Sequence, residues 1–293
     1  MSRNTSVNTH INVMLQGGLG NQLFQLAWGK YAESVSGCSV SYNSKILLSK
    51  GIHGGIRLSD LIEFDHNQFS DSCIFFEKSI VAKAARLVFR KLQIRRLGGY
   101  LLYDYDADTG FDNSHNAVSA KFHFGYFQYV QSALFFRKEL LSLILEKHAA
   151  LLVKGREIYS DSVGVHVRRG DFLSSTDPRH KVMGEEFYFN AIESFKGRRF
   201  VIFTDDKEWC ETVFKGQDFE ICGLLGTEVK PAIADFLSLM CCKDYIIGAS
   251  TFAWWAAFLS FNNDPLVYMP DLNLSFQTKA SNQLIGWQYI VSE

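Results

Sequence analysis

Proline is scarce in this chain, with 4 among 293 residues, so proline-rich linkers are excluded and connections between elements are expected to be short. An excess of one charge is also lacking: the formal net charge of −1 excludes the overall basic field typical of nucleic-acid-binding proteins. With 47% hydrophobic and 21% charged residues, the composition is that of a folded globular protein. A chain of this length favours two domains over one.

Motifs for metal binding and for export are lacking too. The six cysteines include no C-x-x-C pair, and Asp205 and Asp206 are adjacent rather than spaced as metal ligands, with no histidine near them, so we expect no metal. The weakly charged stretch 245–261 is shorter than the ~20 apolar residues that a membrane span needs. The first ten residues are polar, without a signal-peptide core, and together with reduced cysteines this predicts a cytoplasmic protein.

Short apolar strands alternate regularly with helices from residue 160 onward. This alternation predicts an α/β fold with a parallel sheet covered by helices on both faces. A first strand at Asn12–Leu15 is followed by a tight turn and a helix, whereas 43–130 is hard to assign, with hints of strands at 74–76 and 122–127. The predicted domains are 1–157 and 158–293. Strands of the second are predicted at Val163–Val167, Phe200–Thr204, Phe219–Cys222 and Tyr245–Ile247, with Leu266–Tyr268 closing the series.

The most informative stretch is 166–171, which combines a histidine, two arginines and an aspartate at the end of an apolar strand. A guanidinium group presents a planar fork of donors that suits phosphate or carboxylate. Because side chains two residues apart on a strand share a face, His166 and Arg168 are expected to point the same way. We interpret Arg168 as binding a diphosphate, and Arg169 as structural and paired with Asp171. A surface salt-bridge cluster is the alternative.

A glycine-rich turn, Gly17–Gly20, follows the first predicted strand. Its backbone N–H groups can approach an anion closely, and the helix that begins at Asn21 adds its positive end. A purely structural tight turn is the alternative. Gly18 and Gly20 also match part of a dinucleotide fingerprint, but Leu23 occupies the third glycine position, so a nicotinamide cofactor is the weaker interpretation.

Other polar residues follow the remaining predicted strands. Ser250 and Thr251 stand at the start of a helix directly after a strand. These two residues could bind phosphate or could simply cap the helix. Asp205-Asp206 is interpreted as a loop feature that caps a helix or binds a ligand hydroxyl. Ligands of open parallel sheets bind at the carboxyl ends of strands, so these residues and Arg168 are expected to form one site.

A basic segment covers residues 79–97, with six lysines and arginines, no acidic residue and interleaved aliphatic residues. Such an amphipathic helix can lie on an anionic membrane surface. A solvated helix face is the alternative.

Together these motifs make the chain resemble bacterial alpha-1,2-fucosyltransferases of glycosyltransferase family 11. The matching segments follow the family's order along most of the chain: Gly17–Gln25, His166–Phe172, Phe203–Asp206, Asp235–Met240 and Ile246–Trp255. One departure is Phe172, where the family often has tyrosine.

The resemblance implies a GT-B-type fold, in which two Rossmann-like domains face each other across a cleft and the N-terminal one lies on the acceptor side. It implies inverting transfer of L-fucose from GDP-beta-L-fucose to the 2-hydroxyl of a terminal galactoside in a bacterial surface glycan such as O-antigen. No metal or other cofactor is implied. A lipid-linked acceptor, and peripheral contact of 79–97 with the inner membrane face, remain open.

The resemblance also implies roles for individual residues. Arg168 stabilises the leaving group, while no general base can be identified from the sequence. The donor-binding residues that it implies are Gly18, Gly20, Asn21, His166, Arg168, Asp235, Ser250, Thr251 and Phe252, with Arg169, Asp171, Asp205 and Asp206 in structural or supporting positions. Another fucosyl linkage or acceptor, and a non-catalytic module that binds nucleotide sugars or glycans, are the alternatives.

Overall fold

The computed structural model describes residues 10–48, 58–64, 79–92, 94–104, 118–177, 180–216, 218–223, 228–270, 272 and 283–292. The chain divides into two compact units, one formed by Met1–Ser59 with Glu63–Lys138 and the other by Asp60–Ile62 with Glu139–Glu293. Each unit contains a mostly parallel sheet together with helices, which confirms the predicted α/β class.

The first unit has a five-stranded sheet with the order β2-β1-β5-β4-β3. Only β3, which pairs with β4, is antiparallel. The strand predicted at 122–127 is confirmed as β5, and the one predicted at 74–76 lies outside the described residues. The strands are β1 His10–Met14, β2 Ser39–Asn43, β3 Arg96–Leu97, β4 Leu101–Asp104 and β5 Phe122–Gly125.

The helices of this part of the chain follow the apolar pattern of the sequence. The first of them buries Leu23, Phe24 and Trp28, while Gly37 ends it in the left-handed conformation that glycine adopts without strain. The helices are α1 Leu19–Ser36, α2 Lys45–Leu48, α3 Leu58–Leu61 and α4 Ile80–Lys91.

The second unit has a six-stranded parallel sheet with the order β11-β10-β9-β6-β7-β8. The strands predicted after residue 160 are all present, but the prediction that the series closes at 266–268 is wrong, because a further strand pairs with β10. The strands are β6 Ser162–Val167, β7 Arg199–Thr204, β8 Phe219–Ile221, β9 Asp244–Ile247, β10 Leu266–Pro270 and β11 Gln288–Ser292.

Five helices accompany this part of the chain among the described residues. A kink at His148, whose backbone leaves the helical range, interrupts the long helix that leads into β6. The predicted boundary between residues 157 and 158 lies near the end of that helix, while the compact units divide between Lys138 and Glu139, so the boundary stays a prediction. The helices are α5 Val130–Tyr159, α6 Glu185–Ser194, α7 Lys207–Val213, α8 Pro231–Met240 and α9 Thr251–Phe258.

The strand order of the second unit defines where a ligand is expected. All six residues of β6 are buried, as in a central strand covered on both faces. From β6 the chain proceeds to β7 and β8 on one side, then crosses to β9 on the other side. The carboxyl ends of β6 and β9 therefore form the topological switch point at which open α/β sheets bind their ligands.

Candidate functional site

The switch point brings together segments that are far apart in sequence. His166 of β6 pairs with Ile247 of β9, and Val167 pairs with Thr204 of β7. Arg168, Asp205 and Ser250 follow these three strand ends within a few residues. The convergence predicted for the second half of the sequence is therefore present in the structure of this unit.

The Arg168 guanidinium lies between two carboxylates. One terminal nitrogen donates to Asp171 Oδ1 at 2.5 Å, and the other lies 2.7 Å from Asp205 Oδ2. The guanidinium carbon is also 5.4 Å from the centroid of the Phe172 ring, which in turn stacks on His180. Arg168 is thus held in a defined orientation at the strand end rather than extended into bulk solvent.

Arg169 makes a separate set of contacts. Its Nε donates to Asp206 Oδ2 at 3.0 Å, and its guanidinium carbon lies 4.1 Å from the centroid of the Trp209 ring. Asp206 also accepts a hydrogen bond from Trp209 N at 3.1 Å and so caps α7, as predicted for this aspartate pair. The predicted pairing of Arg169 with Asp171 is wrong, because Asp171 pairs with Arg168.

His166 is buried beside these charges. Burial, and secondarily the positive charge of Arg168, lowers the pKa of its imidazole to about 4, so the ring is neutral at pH 7. Its ring centroid lies 5.7 Å from that of Phe252 at the start of α9. Nδ1 has no hydrogen-bond partner among the described residues, and a buried unpaired nitrogen of this kind is commonly completed by a ligand or water.

Helix α9 begins at the switch point with a side-chain cap. Ser250 Oγ accepts a hydrogen bond from Ala253 N at 3.4 Å, so the capping interpretation of this residue is confirmed. Thr251 and Phe252 occupy the first turn, where N–H groups and the helix dipole favour an anion. Trp254 and Trp255 are buried packing residues.

Asp235 lies on α8, the helix that packs beside α9. The adjacent Phe236 meets Phe252 with 5.1 Å between ring centroids. Burial raises the pKa of the Asp235 carboxyl to about 6, partly offset by the positive charge of Lys207. A half-buried carboxylate whose pKa is raised by burial is a candidate for a functional role.

The glycine-rich turn belongs to the first unit, between β1 and α1. Gly17 adopts a left-handed conformation with φ of 80°, and Gly18 precedes α1 without a side-chain cap. Gly20 is buried in the first helical turn. The Asn21 side chain accepts a hydrogen bond from Gln128 Nε2 at 2.8 Å, which fixes its carbonyl.

Sequence reasoning missed the role of Gln25 in this region. Its Oε1 accepts from Gln16 N at 2.9 Å and its Nε2 donates to Gly125 O at 2.9 Å, so it ties the turn after β1 to the end of β5. The available signal was a glutamine among the apolar residues of a helix, since a buried amide needs partners on both sides.

A cavity of about 40 Å³ at the carboxyl ends of β4 and β5 was also not predicted. Asp104 accepts hydrogen bonds from Phe127 N at 2.6 Å and from the Tyr129 hydroxyl at 3.0 Å. Phe127 has a φ of 48°, a strained conformation for a bulky residue, and its ring stacks on Trp28. Arg95 completes this aromatic and charged lining.

Among the described residues, no group of three or more histidine, cysteine, aspartate or glutamate side chains could hold a metal ion. No helix in the same ranges has both the length and the apolar character needed to cross a bilayer. Cys241 and Cys242 are free and buried.

Comparison with known proteins identifies sequence relatives along most of the chain. A model of the family described as glycosyl transferase family 11 matches residues 10–291. The chain is 27% identical over 262 residues to an alpha-1,2-colitosyltransferase of Escherichia coli, covering 84% of this chain and 86% of the relative. It is 26% identical to the O-antigen biosynthesis glycosyltransferase WbnK of the same species, covering 67% and 62%. Human galactoside alpha-(1,2)-fucosyltransferase 1 is 35% identical over 119 residues, 38% of this chain and 32% of that protein.

A solved structure has a similar fold. The crystal structure of fucosyltransferase NodZ from Bradyrhizobium matches with a TM-score of 0.51 and 14% identity, covering 86% of this chain and 94% of that one. At this identity the likeness concerns the fold alone, and it confirms the predicted GT-B-type α/β class.

Proposed function

Because the chain belongs to glycosyltransferase family 11, we propose that it transfers L-fucose from GDP-beta-L-fucose to the 2-hydroxyl of a terminal galactoside, with inversion. The observation that supports this most is the position of Arg168 at the sheet's switch point, two residues after His166, whose ring lies 5.7 Å from that of Phe252 at the start of α9. The alpha-1,2 linkage in the names of the colitosyltransferase and the human fucosyltransferase supports the linkage.

Arg168 and the amino-terminal turn of α9 would together bind the diphosphate of the donor. Breaking the sugar–phosphate bond develops negative charge on departing GDP, and only contacts that strengthen in the transition state accelerate this step. The fixed guanidinium and the helix dipole can provide such contacts without a metal, so we propose a metal-independent reaction. A loose, dissociative route, with water or a leaving-group oxygen taking the acceptor proton, would need no general base.

The remaining donor-binding residues would surround the nucleotide. We assign His166 to the phosphate side through its unpaired Nδ1, and Asp235 to the nucleoside. We propose further donor contacts from the first unit, at Gly18, Gly20 and Asn21. Their turn follows β1, and β1, like β6, lies where the strand order of its sheet reverses.

The colitosyltransferase relative supports a second donor, GDP-colitose. Colitose is fucose without its 3-hydroxyl, so the two donors differ by one hydrogen-bonding group. A site built to bind that hydroxyl rejects the analogue lacking it by ~10⁴-fold, whereas an apolar pocket there discriminates weakly.

We assign the acceptor to the first unit, as a galactose-containing glycan. The cavity bordered by Arg95, Asp104 and Trp28 supports this assignment, since aromatic faces and charged hydrogen-bonding groups suit sugar rings. The name of the relative WbnK supports a role in O-antigen assembly, with the acceptor lipid-linked or free.

Helix α4 supports peripheral contact with the inner face of the cytoplasmic membrane. Its buried side, with Ala82 and Phe89, faces the core of the first unit, so its other apolar residues point to solvent. Five apolar side chains on this outer side are at least half exposed: Ile80, Val81, Leu87, Val88 and Leu92. Apolar side chains flanked by cations suit the interface of an anionic bilayer.

A donor assay tests the proposed function. Purified protein is incubated with a galactoside and either GDP-fucose or GDP-colitose, and the product linkage is determined by NMR. We expect an alpha-1,2-linked fucoside, with GDP-fucose preferred. A preference for GDP-colitose would establish the second candidate, whereas GDP binding without transfer from either donor would leave a non-catalytic binding module.

A further inference from the structure

The carboxylates around Arg168 carry an inference that rests on the proposed function, namely that this arginine binds the donor's diphosphate. Both terminal nitrogens of the guanidinium, the ones that would grip a diphosphate as a fork, already face a carboxylate, Asp171 at 2.5 Å and Asp205 at 2.7 Å. Two carboxylates around one guanidinium also offset its positive charge, which weakens its attraction for an incoming anion.

Asp205 is fixed by the sheet. It follows β7, whose Thr204 pairs with Val167 of β6, so the strand register places it beside Arg168. Its Oδ1 accepts a hydrogen bond from Arg169 N at 2.9 Å. A Cβ atom at Gly170 would lie 2.6 Å from Asp205 Oδ2, so the carboxylate occupies space that only a glycine leaves open.

Asp171 is placed differently. It lies three residues after Arg168 in the turn that follows β6, and its side chain is 44% exposed, against 27% for Asp205. A nucleotide that arrives from solvent therefore meets the Asp171 side of the guanidinium first. The more exposed carboxylate, carried by a turn rather than by a strand register, is the one that an anion can displace.

We propose that Asp205 is a positioning residue that fixes the orientation of Arg168, and that Asp171 occupies the place of a phosphate oxygen until the donor displaces it. The diphosphate then takes over the terminal nitrogen released by Asp171. Arg168 keeps its contact with Asp205 throughout binding and transfer.

The variants Asp171→Asn and Asp205→Asn form a matched pair, because each replaces one of the two carboxylates that contact the Arg168 guanidinium by a neutral amide. GDP affinity is measured by calorimetry, and kcat and KM for the donor by the transfer assay. For Asp171→Asn we expect GDP to bind several-fold more tightly, with KM lowered and kcat retained. For Asp205→Asn we expect weaker binding and a fall in kcat of about 10²-fold, the loss that a ~1 Å misplacement causes.

Gly170→Ala supplies an independent test, since it displaces the Asp205 carboxylate without changing any charge. We expect it to lower kcat as Asp205→Asn does. Thermal unfolding of each variant shows whether it is folded, and Asp161→Asn, which alters a 94% exposed carboxylate, serves as the charge control.

Two results would overturn the inference. One is a change of GDP affinity in the same direction for both asparagine variants, which would mean that charge alone is at work. The other is wild-type kcat in Gly170→Ala. Failure of the wild-type protein to bind GDP would instead contradict the proposed function on which the inference rests.

Discussion

At the scale of single residues, two adjacent arginines make different contacts because each pairs with a different member of Asp205-Asp206. Arg168 meets Asp205, and Arg169 meets Asp206. Strand alternation predicted that the two arginines would differ. Their partners could not be predicted from local spacing, which suggested Asp171 for Arg169, because the register of β6 and β7 brings in carboxylates from 37 residues away.

The raised pKa of Asp235 leads to a prediction about stability. Its folded-state pKa of about 6 lies above the ordinary value of 3.8, so ionisation favours the unfolded state as pH rises between these two values. We expect Asp235→Asn to increase the free energy of unfolding by about 1–3 kcal/mol at pH 7.5, and by much less at pH 4. Thermal or urea unfolding at both pH values measures the difference.

Asp161→Asn is the control for this prediction, because that side chain is 94% exposed. An equal increase in the free energy of unfolding of Asp235→Asn at both pH values would show that ionisation of Asp235 is not the cause. If Asp235 also binds the nucleoside, the stabilised variant should bind GDP more weakly, as expected where a binding site retains a buried charge at the expense of stability.

At the scale of elements, the strands of the second sheet were predicted well, whereas those of the first sheet were predicted only in part. Strands β6 to β10 were predictable because each is a short apolar run next to a clear helix. Strands β3 and β4 lie in an irregular stretch and contain only two and four residues, too few for a periodic signal. Strand β11 was missed because its pairing with β10 is a long-range contact that no local pattern shows.

Helix α4 gives a prediction at this scale. We expect the protein to sediment with vesicles containing anionic phosphatidylglycerol and not with neutral phosphatidylcholine vesicles, with binding that weakens as salt rises. The variant Leu87→Gln/Val88→Gln should bind the anionic vesicles several-fold more weakly, because both side chains are half exposed on the apolar face.

Val153→Gln is the matched control for the vesicle experiment, because Val153 is 60% exposed on α5, outside segment 79–97. Unchanged binding of the double variant, or no binding to either kind of vesicle, would leave the solvated-face interpretation of this segment. Either result would leave the donor assay unaffected.

At the scale of the whole molecule, the chain consists of two α/β units, and the diphosphate site is assigned to the switch point of the second. The order of the motifs along the sequence was sufficient to recognise the family and the fold. The cavity beside Asp104 could not be predicted, because a buried carboxylate, a strained phenylalanine and a tryptophan from three elements meet only after folding. This cavity in the first unit is therefore known only from the structure.

Calorimetric titration with GDP in excess chelator tests whether Arg168 binds the diphosphate of a guanine nucleotide. Wild-type protein, Arg168→Lys and Arg199→Lys are compared; Arg199 belongs to an exposed ion pair with Glu220 at the amino end of β7 and serves as control. We expect metal-independent binding by the wild type and by Arg199→Lys, and at least ~10-fold weaker binding by Arg168→Lys, which keeps the charge but loses the fork. Equal affinity of the two lysine variants, or binding that requires a metal, would contradict this role of Arg168.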